Sequence, residues 1–122
     1  MRDRPNGFDL SELAERVQAG DAAIDVPDDQ RYRDLMLASA RAIAGRQEET
    51  GDAPERDELR SLTQILEKEA ALADLNLALT AAIRGGAYDP AAPGHDAVRN
   101  HLWQTALNRV RESNPKALPK DD

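Results

Sequence analysis

Leucine and alanine recur along this chain every three or four residues, and glycine or proline falls where each run stops. That spacing dictates amphipathic helices, because side chains three and four apart share one helical face. Leu10, Leu13, Ala14 and Val17 form the first stripe, and Gly20 stands where a left-handed residue would end it. Asp9 is expected to cap this helix, with Glu12 reaching back to its amide and Phe8 stapled to Leu13. Asp21 to Asp29, which contains Pro27, reads as a connector from which Ile24 and Val26 touch the core. Tyr32, Leu35, Met36, Ala40 and Ile43 predict a second helix from Gln30 to Glu49, with Leu37 off its stripe. Thr50 to Pro54 has turn chemistry, and Glu55, Asp57 and Glu58 follow as solvated acids at the positive end of the next helix.

The segment from Glu55 to Arg84 is irregular. Leu59, Leu62, Leu66, Ala70 and Ala73 share one side, whereas Leu72, Leu75, Leu79 and Ile83 share another, rotated by roughly 120 degrees. One straight helix would carry two apolar faces. Either it breaks near Glu69 to Asp74, with Asp74 capping a new helix, or it continues and buries the second face against another helix or another chain. The break is the preferred reading, since Leu75 restarts the period.

A Pro- and Gly-rich loop from Gly85 to Gly94 leads to a last helix, from His95 or Asp96 to Ser113. Val98, Leu102, Trp103, Ala106, Leu107 and Val110 give it a broad apolar stripe, as expected of a helix lodged between others. The expected fold class is therefore all-α, a compact bundle of four or five helices. Residues 1–118 are expected to form one domain, with residues 119–122 as a disordered tail.

At 122 residues the chain can bury a core without staples. It has no cysteine, which removes disulfides and thiolate zinc sites and fits a reducing compartment, so a cytoplasmic location is expected. No secretory signal or membrane span is readable. A net charge of -7 opposes binding to a phosphate backbone, so neither nucleic acid nor membrane is an expected partner.

Candidates for chemistry are few. His95 and His101 are six residues apart on one helix, so their side chains point roughly 240 degrees apart and cannot share a metal. His101 is expected to be partly buried and hydrogen-bonded rather than a base. The acids Glu12 with Glu15, Glu48 with Glu49 and Asp52, and Glu55 with Glu58 suggest a magnesium-dependent all-helical nucleotide pyrophosphohydrolase as a minor alternative. The paired i, i+3 acid motif of that family is not reproduced, since Glu69 and Asp74 are five apart. Neither a catalytic residue nor a cofactor is assigned.

The opening Met1 to Pro5, the Ala-rich helix ending Arg46-Gln47-Glu48, the run Asp74 to Gly86, and the stretch from His101-Leu102 to Asn114-Pro115-Lys116 together resemble a small bacterial family. Its members are known as a domain of unknown function. The resemblance implies a gene neighbourhood of aminoglycoside-phosphotransferase-like kinases and acyl-CoA dehydrogenases, but no activity. Asp3, Arg4, Pro5, Asn76, Arg84, Gly86, His101, Asn114 and Pro115 match it, whereas Leu35 and Ser39 stand where the family carries Arg and Asn. Arg4 and Asn114 are expected to pin the chain ends together.

The expected function is that of a noncatalytic accessory or regulatory protein. Its apolar surplus, namely Leu37 with Leu72, Leu75, Leu79 and Ile83, and Arg84 at the helix end, would meet a phosphotransferase-like kinase or a second copy in a homodimer. The alternative is a binding module for an acyl-CoA or a related anion, with Arg33, Arg41, Arg84, Arg99 and Arg109 as the cations.

Overall fold

The computed structural model describes residues 1–2, 4–20 and 29–120. Among them are five α-helices and no strand: α1 (Gly7–Gln18), α2 (Gln30–Thr50), α3 (Ala53–Leu66), α4 (Leu72–Arg84) and α5 (His95–Ser113), followed by a 3-10 turn over Pro115–Ala117. This is the expected all-α fold. The connector at 21–28, with Ile24 and Val26, lies outside the described residues, as do Asp3 and the last two residues of the expected tail.

The first helix starts earlier than its sequence suggests. Asn6 is the cap, its side chain accepting from the Asp9 amide at 3.0 Å while Asp9 accepts from the Asn6 amide at 3.1 Å. Asp9 is therefore the third helical residue of a capping box and not the cap. Phe8 is 77% exposed and Leu13 is half-exposed, so the expected staple does not form. Leu10, Ala14 and Val17 do face inward, and Gly20 (φ 76) ends the helix as expected.

Small residues decide how α1 meets α2. A Cβ on Gly7 would lie 3.2 Å from the Ala44 Cα, so only glycine lets the two backbones come this close. The inward row of α2 is accordingly Arg33, Leu37, Ala40, Ala44 and Gln47. This corrects the expected stripe by about 100 degrees. Leu37 faces in, while Tyr32, Leu35 and Met36 are exposed.

The two apolar faces of the 55–84 segment are reconciled by a sharp reversal. Glu67, with φ 52 in the left-handed region, ends α3, and α4 begins at Leu72. Once the chain turns back, Leu62, Leu66 and Ala70 of one face and Leu72, Leu75 and Leu79 of the other meet in one core with Val98, Ile65 and Tyr88, while Leu59, Ala73 and Ile83 at the ends of the two rows stay exposed. Burying a leucine fully, as Leu62 and Leu75 are, stabilises the fold by about 1.5–3 kcal/mol each. The break was expected, but Ala71 rather than Asp74 is the cap residue, and Asp74 sits in the first turn. Because a non-glycine residue in the left-handed region is strained, Glu67→Gly is expected to raise stability by roughly 0.5–1 kcal/mol in urea denaturation.

Candidate functional site

The last helix buries only part of the apolar stripe that its composition predicts. Its inward row is Val98, His101, Thr105, Asn108 and Glu112, of which Val98, His101 and Glu112 are buried. The expected apolar stripe is split: Val98 is buried and Leu107 and Val110 are half-buried, whereas Leu102 is 45% and Trp103 56% exposed, with Ala106 exposed beside them. Together with Ile83, Tyr88, His95 and Arg99, the exposed Leu102, Trp103 and Ala106 line an open groove of about 820 Å³ between the end of α4, the following loop and α5. The loop is held to α5 by His95, whose Nδ1 donates to the Tyr88 carbonyl at 2.9 Å. That carbonyl can only accept, so the His95 proton sits on Nδ1.

Polar residues occupy the inside of α5 because each finds a partner there. The Arg2 guanidinium donates to both carboxylate oxygens of Glu112, at 3.1 and 2.7 Å, and to the Gly51 carbonyl at 2.6 Å. The Arg2 amide donates to Glu55 at 3.2 Å, and Arg109 donates to the Met1 carbonyl at 2.8 Å. The Met1 ammonium pairs with buried Glu58, which also accepts from Asn76 at 3.4 Å. Arg46 completes the junction by donating to the Glu112 carbonyl at 2.5 Å. This network joins the α1–α2 pair to the α3–α4–α5 core, and the hydrogen bonds that Arg2 donates to Glu112 raise the Arg2 pKa above its ordinary value.

The expected end-to-end pins are thus corrected. Arg4 pairs locally with Asp9 at 2.7 Å, and it is Arg2 and Arg109 that join the two ends, while Arg46 ties α2 to the end of α5. Glu58 was expected to be solvated but is buried, whereas neighbouring Asp57 stays exposed.

His101 is buried and hydrogen-bonded, as its position suggested. Its Nδ1 lies 2.7 Å from the Ser61 hydroxyl. Burial, and secondarily the Met1 ammonium, hold its pKa below the ordinary 6.5. The unfolded chain therefore binds more protons than the native one just below that pH, and stability falls as pH drops through this window. The urea midpoint is expected to decline below pH 6.5 and level off beneath the folded-state pKa, and His101→Gln should flatten that decline.

The residues singled out as an interaction face are divided by the structure. Leu75 and Leu79 lie inside the core and Leu72 packs against it, so these three are spent within the chain. Leu37 is half-buried on the inner side of α2. Ile83 lies in the groove, and Arg84, the last residue of α4, is exposed. The five arginines proposed as an anion site do not converge: Arg41 donates to Gln18, Arg109 to Met1, and only Arg99 lines the groove. Among the described residues no three His, Asp or Glu side chains are grouped to hold a metal, and no helix is long and apolar enough to cross a membrane.

Two residues of the junction, Arg2 and Glu112, were given no role by the sequence reading, and a third, Glu58, was read as solvated. A signal for two of them was present. Glu58 stands four residues before core Leu62, and Glu112 continues the row from Val98 through His101.

No curated protein and no solved structure matches this chain. The family model described as Domain of unknown function (DUF6285) matches residues 25–117, which covers most of the chain. It takes in α2 through α5 and both walls of the groove, and the chain belongs to that family.

Proposed function

We propose that this protein is a noncatalytic accessory or regulatory module that docks a partner protein in the groove between α4 and α5. The observation that carries this reading is the split stripe of α5, which leaves Leu102, Trp103 and Ala106 outward while Val98, His101 and Glu112 are buried on its inner side. Exposed tryptophans beside aliphatic residues are characteristic anchors of protein interfaces, and a contiguous apolar patch of this kind marks an interaction site. The partner class, following the family resemblance, is a phosphotransferase-like kinase or an acyl-CoA-metabolising enzyme in the cytoplasm.

The test is co-purification from native cells. Wild-type protein is expected to retain the kinase-like partner, and Trp103→Glu, which leaves the core untouched, is expected to lose it. Retention of that partner by a folded Trp103→Glu variant would refute the reading. A homodimer through the same groove predicts that light scattering finds a dimer that Trp103→Glu converts to a monomer.

Arg99 on the wall of the apolar groove favours one second reading, an acyl-CoA binding module. In that case acyl-CoA esters raise the melting temperature of the wild type and not of Arg99→Ala.

A further inference from the structure

A second concavity, of about 570 Å³, lies on the other flank of α5, between it and α3. Its walls are two polar rows at helical spacing: Asp57, Ser61 and Gln64 on α3 face Asn100, Gln104 and Asn108 on α5. Ile65 and Ala97 supply apolar surface, and the buried side chains of Glu58 and His101 form part of the lining.

The hydrogen-bonding capacity of these walls is largely unspent. Gln64, Asn100 and Gln104 form no side-chain hydrogen bond among the described residues, and each amide offers both donors and an acceptor. His101 commits Nδ1 to Ser61, while its Nε2 makes no hydrogen bond among the described residues and is not sealed from solvent. No lysine or arginine lines the cleft, and Asp57 and Glu58 are acids. Both acids are already ion-paired, Glu58 with the Met1 ammonium and Asp57 with Arg60 at 3.5 Å, so the lining offers an anion no cation of its own, whereas hydroxyl groups, which both donate and accept, match the amides and the imidazole. The volume falls in the range of small-molecule sites.

From this we infer that the cleft between α3 and α5 binds a small uncharged polyol, its hydroxyls read by Gln64, Asn100, Gln104 and His101. The cleft adjoins the groove between α4 and α5 through Asn100, which lines both, and its ligand does not depend on the proposed partner.

Polyols stabilise proteins generally by exclusion from their surface, so a melting temperature does not discriminate, and a site-resolved probe is needed. The test is an NMR titration of the full chain with myo-inositol and with D-glucose, following the side-chain amides and the His101 ring. At least one polyol is expected to give saturable shifts confined to the cleft. Gln64→Ala combined with Gln104→Ala, both at exposed positions, should weaken that binding about tenfold, as loss of two neutral hydrogen bonds implies. Ser61→Ala, which frees the His101 Nδ1, should alter the His101 shifts on titration. Shifts that grow linearly and spread over the whole surface would overturn the inference, as would saturable binding of inorganic phosphate in place of the polyols.

Discussion

Leu75→Ala is expected to lower the unfolding free energy by about 3 kcal/mol, within the range for truncating a fully buried leucine. The cost is high here because Leu75 joins α3 and α5 through contacts with the same few residues, Leu62 and Val98 among them. Urea denaturation of this variant beside Leu102→Ala is the check. Leu102 is already 45% exposed, so its truncation is expected to cost well under about 1 kcal/mol. Equal losses at the two positions would contradict the placement of the core. Leu75→Glu, which buries a carboxylate among Leu62, Leu79 and Val98, is expected not to fold at all.

Glu112→Ala has an effect of similar size for a different reason. Removing this carboxylate strips the Arg2 guanidinium of two hydrogen bonds and leaves a largely buried cation with the Gly51 carbonyl as its principal acceptor. Breaking one side of a buried pair costs about 3–5 kcal/mol, and the partial exposure of Arg2 places the expected loss near the lower end, about 3 kcal/mol. Arg2→Ala combined with Glu112→Ala should lose less than the sum of the single variants, because no cation then remains unpaired. A double-mutant cycle in urea measures this coupling, and strict additivity would show that the pair does not act as the joint between the two helix sets.

The elements of this fold were legible because helix periodicity and Gly/Pro punctuation are local properties. Even the reversal between α3 and α4 could be read from the offset between the Leu59–Ala73 and Leu72–Ile83 rows. The choice of inward face was less legible. In α2, rows containing Leu35 and Met36 or Leu37 compete on nearly equal terms, and Gly7 settles the matter from another helix by admitting Ala44 to close approach. In α5 the apolar row is the larger, and hydrophobicity alone turns it inward. Leu102, Trp103 and Ala106 of that row face out because Glu112, through Arg2, and His101, through Ser61, hold polar residues inside, and those partners are 110 and 40 residues away in sequence.

The same long-range pairing explains the fate of the interaction residues. Leu72, Leu75 and Leu79 look surplus only if the 55–84 segment is straight, and the turn at Glu67 makes them core. The true apolar surplus is the row of Leu102, Trp103 and Ala106, hidden in the sequence by its likeness to an ordinary buried stripe.

Trp103 is the sole tryptophan of the chain, so its emission reports on the docking groove alone. The decisive measurement is the accessibility of that emission to an ionic quencher while the protein is titrated with a tryptophan-free or spectrally silenced form of the proposed kinase-like partner. Trp103 is 56% exposed in the free protein, and burial under the partner should shift its emission to the blue and protect it from quenching in proportion to the bound fraction. Stoichiometric binding that leaves the emission and its quenching unchanged would place the partner elsewhere and contradict the account.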